Sequence, residues 1–285
     1  MSKKIAVIND LSGFGHCSLT AAISTISVMG VQPCPLPTAV LSAQTGYPSF
    51  YCDDYTDKME HFRQEWEKMG ARFDGIYTGF VASEAQIEPI FRFLDTFYKK
   101  GTFLLVDPVM GDDGRVYKMF TPGLLLKMKQ LAMRADVLTP NLTELCLLAD
   151  ADFTEIQGLR EEEKLLKAIE ELAGKLIRSG PEIVVVTGIR FLDGAGGSKV
   201  GNLAVDESGA RLSAFPYIGG SFSGTGDLFA SIISGGMARG DEIYQVMDLA
   251  GEFIERAMKE SVERHVDRND GTDFEKYLGL LLPRE

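Results

Sequence analysis

Short apolar runs, each followed by a turn and then by a helix-periodic stretch, constrain this chain more than any other feature. Residues 103–106 (Phe-Leu-Leu-Val) and 183–186 (Ile-Val-Val-Val) are apolar at every position. A strand with one wet face alternates polar and apolar residues. An unbroken run therefore implies a strand covered on both sides, as in a parallel sheet with helices on each face. These two strands are expected over 102–107 and 181–187, with others at 4–9, 75–80 and 136–139. Helices are expected between them at 17–29, 57–69, 84–100 and 161–179, and after Thr121 and Pro140. The first sets the pattern, with Leu19, Ala22, Ile23 and Ile26 on one face and Gly30 as its stop. Residues 31–41 carry Pro33, Pro35 and Pro37 and read as an extended segment near a sheet edge. The one break in the alternation is a hairpin, 199–205 and 211–215, turning through Glu207, Ser208 and Gly209. Helices at 241–264 and 272–281 finish the chain. The fold class is α/β: a three-layer α/β/α sandwich with a mostly parallel central sheet. No linker divides it, so residues 1–285 are expected to form a single domain.

One stretch carries chemistry of its own. Residues 220–230 begin with glycines and small hydroxyl residues and run into Leu228, Phe229 and Ala230, which suit a buried helix. Glycines ahead of a helix leave backbone N–H groups uncovered, and the helix dipole adds positive charge, so an anion can bind there. Asp227 stands at the mouth of that position. It is either an ordinary first-turn carboxylate or a base placed to take a proton from an attacking hydroxyl. A formal charge of −12 argues against nucleic acid or an anionic membrane as partner, yet backbone amides bind phosphate without net positive charge. Cys17, Cys34, Cys52 and Cys146 show no metal-ligand spacing and read as free thiols. The apolar run after Lys4 is too short for a secretory signal, and no stretch is long enough to span a membrane, so the chain is expected to be cytoplasmic.

Several polar residues share one address just beyond the carboxyl end of an expected strand: Asp10, Thr45, Asp107, Asp112, Asn141, Glu144, Thr187 and, through the last loop, Asp227. Strand ends of a parallel sheet line one crevice. Each residue alone could be a cap or a turn residue. Together, Asp107, Asp112 and Glu144 put carboxylates near a phosphate-binding helix end, and carboxylate repels phosphate unless a hard cation such as Mg²⁺ lies between. The set reads as nucleotide phosphate, Mg²⁺ and a base, hence phosphoryl transfer to a hydroxyl. The first loop, Gly13-Phe14-Gly15-His16, is neither a dinucleotide fingerprint nor a Walker loop.

The same residues match a family. Gly13-Phe14-Gly15-His16, Ser42-x-x-Thr45, Thr78-Gly79-Phe80, Asp107-Pro108-Val109-Met110-Gly111-Asp112, Thr139-Pro140-Asn141-x-x-Glu144 and Gly224-Thr225-Gly226-Asp227 occur in that order. On these motifs the chain resembles the ribokinase-like superfamily and, within it, the vitamin B6 kinases. The resemblance implies ATP as phosphoryl donor, a B6 vitamer (pyridoxal, pyridoxine or pyridoxamine) as acceptor, and a homodimer. It implies Asp227 as the base, and Gly224, Thr225 and Gly226 as donors to the transferring phosphoryl group. Asp107, Asp112 and Glu144 would arrange Mg²⁺ directly or through water. Asn141, Thr187 and Gly188 would lie along the nucleotide, with a monovalent cation near Thr187. Asp10, Ser12, Thr45 and Phe80 would face the pyridine ring. Two positions depart from the pattern: Asp10 stands where Ser is usual, and Phe80 where Tyr is usual. A hydroxymethylpyrimidine kinase of the same fold and a non-catalytic vitamer- or nucleotide-binding protein are the alternatives.

Overall fold

The computed structural model describes residues 2–159 and 161–283, which fall into two compact units. One unit runs through Asp107 and resumes at Ile218; the other is Pro108–Tyr217. Strands and helices are numbered along the chain.

The first unit is built around β1 (Lys4–Ser12). β4 (Gly75–Thr78) and β2 (Gln32–Leu41) flank it in parallel, β5 (Phe103–Val106) lies beyond β4, and the short antiparallel β3 (Cys52–Asp54) borders the end of β2. Ile5, Ala6, Val7 and Ile8 are wholly buried, which is the two-sided cover that the apolar run demands. α1 (Ser18–Val28), α8 (Thr225–Arg239) and α9 (Ile243–Glu263) pack as one group, and α2 (Thr56–Lys68) with α3 (Ile87–Phe97) as another.

The prolines of β2 have a simple geometry. The Gln32 N–H donates to the Lys3 carbonyl at 2.8 Å, so every second amide of β2 points toward β1. Pro33, Pro35 and Pro37 occupy the other phase, where no N–H is required because β3 pairs only with Ala39–Leu41. Three missing donors therefore lie along the uncovered edge and blunt it against further pairing.

In the second unit, β8 (Val137–Leu138) pairs in parallel with β9 (Ile183–Leu192), and β10 (Ser198–Asp206) and β11 (Gly209–Pro216) continue antiparallel. The hairpin β6 (Gly111–Asp112) and β7 (Arg115–Val116) stands apart as a two-stranded sheet. Its helices are α4 (Pro122–Ala132), α5 (Leu142–Ala149), α6 (Phe153–Gln157) and α7 (Glu162–Ile177), the last packed on β9 and β10. α4 begins as its sequence predicts, with Pro122 in the first turn and the Thr121 hydroxyl accepting from the Leu124 N–H at 3.0 Å.

Three boundaries differ from the sequence reading. β1 continues past Asn9: its register shifts between Asn9 and Leu11, and Leu11 and Ser12 pair with Val40 and Leu41. Asp10 therefore sits at a bulge inside the strand rather than beyond its end. β9 runs past Thr187 to Leu192 because β10 pairs with Val184–Val186 and, across a register shift, with Ile189–Leu192, with Gly188 at φ 66° between them. The final helix is a 3-10 segment, Glu275–Leu281, with only Leu281 buried, too little apolar face to hold an α-helix. β3, β6, β7 and α6 are too short to show a period in the sequence. Among the described residues, no helix is long and apolar enough to cross a membrane.

The α2–α3 layer is held by aromatic rings. Trp66 lies 5.8, 5.5 and 5.9 Å from Phe62, Phe73 and Phe93, and Phe93 lies 4.7 Å from Phe97. Phe93 is 1% exposed. Phe93→Ala is expected to cost about 3–5 kcal/mol in urea unfolding, as buried aromatic truncations do. A loss below about 1 kcal/mol would mean that the cluster closes over the cavity.

Candidate active site

The glycine stretch folds into an open helix start. Gly224 is the N-cap of α8 at φ 84°, and a Cβ there would fall 2.0 Å from the His16 carbonyl oxygen, so only glycine fits. No side chain caps the first turn; the Thr225 hydroxyl donates backward to the Phe222 carbonyl at 3.2 Å. Gly226 is exposed. The leading amides of a fifteen-residue helix thus face outward with its dipole behind them. The Asp107 carboxylate lies beside this turn, with Oδ2 3.9 Å from where a Gly226 Cβ would stand.

Asp227, in the first turn of α8, is enclosed by groups from β1 and α1. The Asn9 side-chain amide donates from Nδ2 to Asp227 Oδ1 at 2.9 Å, and the Ser18 backbone N–H also donates to the carboxylate. Burial pushes the Asp227 carboxyl up to about 6. The Ser18 and Asn9 donors pull it down, and the charge of Asp10 pushes it further up. Asp10 is itself 5% exposed and raised by burial, held by the Ser12 hydroxyl at 2.7 Å and by the Ser18 hydroxyl. Ser18 serves both acids, with its amide to one and its hydroxyl to the other, and adopts φ 51°, uncommon for a residue with a Cβ. Beside them, burial and the two carboxylates push the Cys17 thiol up to about 12, so it is no nucleophile.

Of the sequence-predicted residues in this unit, the structure brings together Asp10, Ser12, Asp227 and the 224–226 turn, with Asp107 at Gly226. Phe80 joins through its backbone N–H, which donates to Asn9 Oδ1 at 2.8 Å. Thr45 is exposed in the turn after β2. Its neighbour Gln44 ties that turn to the glycine loop, donating to Ser223 Oγ at 3.2 Å and to the Asn269 carbonyl at 3.0 Å. Tyr47 of the same turn donates its hydroxyl to Asp270. Sequence reading missed Asn9, Ser18 and Gln44. Only Asn9 left a trace there, as a lone amide closing an otherwise apolar run.

The second unit assembles Asp112, Asn141, Glu144 and Thr187. Asn141 and Glu144 form a capping box at the start of α5: the Glu144 N–H donates to Asn141 Oδ1 at 3.0 Å, and the Asn141 N–H to Glu144 Oε2 at 2.9 Å. Glu144 Oε1 accepts the Met110 N–H at 3.0 Å, and Asn141 Nδ2 donates to the Gly111 carbonyl at 2.8 Å. Thr-Pro-Asn-x-x-Glu is therefore a device that grips the Met110–Gly111 turn and so places Asp112. Burial raises the Glu144 carboxyl against the pull of these amides. Asn141 bridges Thr187, whose N–H donates to the Pro140 carbonyl at 2.9 Å, and the Gly188 N–H donates to Asn202 Oδ1 at 3.2 Å.

Among the described residues, no group of three or more His, Cys, Asp or Glu side chains is arranged to hold a metal ion. Both oxygens of Glu144 already accept backbone N–H groups, whereas Asp112 accepts from its neighbour Asp113 at 2.9 Å. Such donors suit Mg²⁺ carried mainly by phosphate oxygens and water, with protein carboxylates around it.

Comparison with known proteins decides the family. The profile of the phosphomethylpyrimidine kinase family matches residues 14–271. The chain belongs to this family. A Bacteroides thetaiotaomicron protein solved in an orthorhombic form with pyridoxal is 35% identical, with a TM-score of 0.90 over 100% of this chain and 98% of that one. Pyridoxal kinase from Lactobacillus plantarum is 26% identical, with a TM-score of 0.85 over 98% of this chain and 96% of the other. Pyridoxal kinase PdxY of Rubrobacter xylanophilus is 25% identical over 91% of this chain and 88% of its own. The fold is that of these kinases, ribokinase-like, with a mostly parallel sheet and helices on both faces, as the apolar runs imply.

In this kinase-family chain, burial holds the folded Asp227 carboxyl at about 6, above the ordinary carboxylate range, so its ionisation opposes folding. A raised carboxyl adds stability that is complete below its unfolded pKa and is lost as pH rises through the folded value. Asp227→Asn, which carries no charge, is therefore expected to be more stable than the parent by about 1–2 kcal/mol at pH 8 and no more stable at pH 3.5. Thermal melts at the two pH values check this. A gain of the same size at both would remove ionisation as its cause.

Proposed function

We propose that the chain is an ATP-dependent kinase that phosphorylates the 5'-hydroxymethyl group of a B6 vitamer, giving the 5'-phosphate and ADP. The observation that carries this is a half-buried carboxylate, Asp227, in the first turn of an uncapped helix whose amides can receive a phosphoryl group. The 35% identical relative with pyridoxal supports a pyridine alcohol as acceptor. The family's own description keeps the hydroxymethylpyrimidine alternative in view, as does a Bacillus subtilis hydroxymethylpyrimidine/phosphomethylpyrimidine kinase that is 24% identical over 90% of this chain.

In this reading, Asp227 accepts the proton of the acceptor hydroxyl as that oxygen attacks the γ-phosphorus. Its raised carboxyl remains mostly ionised at neutral pH and is basic enough to take the proton. The amides at Gly224, Thr225 and Gly226 hold the charge of the transferring group. Mg²⁺, when bound, would neutralise the phosphate oxygens, with Asp107, Asp112 and Glu144 acting directly or through water. Glu144 acts chiefly by fixing the Met110–Gly111 turn. Asn141, Thr187 and Gly188 are assigned to the nucleotide, and Asp10, Ser12, Thr45 and Phe80 to the pyridine ring. The reading takes residues 1–285 as one catalytic domain working in the cytoplasm as a homodimer.

A coupled ADP-release assay with pyridoxal, pyridoxine, pyridoxamine and hydroxymethylpyrimidine is expected to show turnover on the first three. Asp227→Asn should lower kcat by at least ~10²-fold with ATP binding retained. Turnover confined to the pyrimidine would replace this reading with the alternative. A near-normal kcat in the variant would take Asp227 out of the mechanism.

Asp10 bears on the choice of vitamer. Its recorded partners are the hydroxyls of Ser12 and Ser18 and its own backbone, and no cationic side chain among the described residues pairs with it. A buried carboxylate without a cation favours a ligand that brings one, an amine or a protonated ring nitrogen. Asp10→Ser is expected to cut kcat/KM for pyridoxamine about tenfold relative to pyridoxal, equivalent to about 1.4 kcal/mol. Unchanged ratios among the three vitamers would dispose of this role.

A further inference from the structure

Asn9 joins Asp227 to the backbone of the sheet. Its Oδ1 accepts two backbone N–H groups, from Asp10 at 2.9 Å and from Phe80 at 2.8 Å. A backbone amide can only donate, so the atom on which both converge must be oxygen, and the orientation of the amide is thereby fixed. The nitrogen is left facing Asp227 Oδ1 at 2.9 Å. Asn9 is wholly buried and closely enclosed: a Cβ at Gly79 would fall 2.5 Å from its Nδ2, so the glycine makes room for it.

We infer that Asn9 is a positioning residue for the phosphoryl-transfer base: it pins Asp227 Oδ1 through Nδ2 and leaves Oδ2 as the oxygen that meets the acceptor hydroxyl. This rests on the kinase reading with Asp227 as base. A carboxylate with one oxygen committed to a rigid donor cannot rotate that oxygen toward the substrate, and proton transfer depends on such alignment. The donor also favours the ionised form. The other titratable groups around Asp227 are Asp10, Cys17 and Tyr77, with Asp107 at the adjacent Gly226, and none of them is cationic. Asn9 and the Ser18 amide are therefore the groups that hold the base deprotonated.

The test is the isosteric Asn9→Asp. The new carboxylate can still accept the Asp10 and Phe80 amides, but presents an oxygen, not N–H, to Asp227. The two acids must then share a proton, which blocks the base. Expected are a kcat at pH 7 lowered by ~10²-fold, little change in KM for ATP, and an acid limb of kcat/KM moved up by at least about one pH unit, so that activity recovers as pH rises. A variant with the parent's kcat and acid limb, in a protein that Asp227→Asn inactivates, would overturn the inference and leave the kinase reading standing. An active Asp227→Asn would overturn both. Should Asn9→Asp not fold, the parent protein supplies the measurement. The ¹⁵N-labelled side-chain amide of Asn9 is expected to shift with pH along the titration of Asp227, with a midpoint near 6, and to lose that step in Asp227→Asn. An Asn9 amide signal that Asp227→Asn leaves unmoved would equally overturn it.

Discussion

The close approach of Gly224 to the backbone of His16 and Cys17 governs the first unit's chemistry. With a side chain at 224 the two segments could not touch, since its Cβ would stand 2.0 Å from the His16 oxygen and 2.9 Å from the Cys17 Cα. That contact sets the start of α8 against the start of α1. His16 is further fixed by its N–H donating to the Asp270 carbonyl at 2.8 Å, next to Gly271, where a Cβ would fall 2.9 Å from the His16 side chain. Two helix N-termini thus converge, and each brings positive dipole and spare amides. Asp227 lies in the first turn of one and accepts an N–H from the first residue of the other. Without that second helix the same burial would drive the carboxyl higher. A base poised near neutrality follows from opposed forces: enclosure and the neighbouring Asp10 on one side, α1 and Asn9 on the other.

Glu144 answers the same problem differently. It is 3% exposed, and its two oxygens are taken up by the amides of Met110 and Asn141. Its oxygens are used to order backbone, and the ordered backbone carries Asp112. A motif that looks like a row of ligands in sequence is, in space, one half-buried carboxylate held by a buried one. The distinction matters for reading such motifs, because a fully hydrogen-bonded acid makes a poor direct ligand for Mg²⁺ but a good anchor for the turn beside it.

What the sequence disclosed and what it hid follow a physical division. Burial on both faces writes itself into every residue of a strand, so Ile5–Ile8, Phe103–Val106 and Ile183–Val186 announced a helix-covered parallel sheet. Glycines before an apolar helix announced the open start of α8. Thr121-Pro122 announced a cap because its partner is three residues away, whereas Glu144 read as a ligand and only the structure shows it capping with Asn141. The Asn9–Asp227 bond joins residues 218 apart in the chain, and nothing local to either foretells it. The left-handed Ser18 was hidden for the opposite reason: its conformation is imposed by what it must reach, not favoured by its own type. Strand ends were misplaced where pairing decided them. The bulge at Asn9–Leu11 keeps β1 paired with β2 through Ser12, and β10 carries β9 past Thr187 to Leu192.

The costly features of the first unit cluster around one carboxylate. Asp10 and Asp227 are both raised by burial, Ser18 holds φ 51°, and the α8 start goes without a side-chain cap. Three of these would be easy to relieve: Asn for either acid and Gly at 18. A protein under selection for stability alone would have no reason to keep those three within one neighbourhood, whereas a site that must present a base to an anion needs an acid that resists ionisation, a bent approach and uncovered amides. The remote elements pay no such cost: Trp66, Phe73, Phe93 and Phe97 pack ring against ring, and Pro33, Pro35 and Pro37 fall where no donor is missed. Local rules hold through the scaffold and give way around Asp227, which is the separation expected when stability is spread over the fold and function is confined to a point.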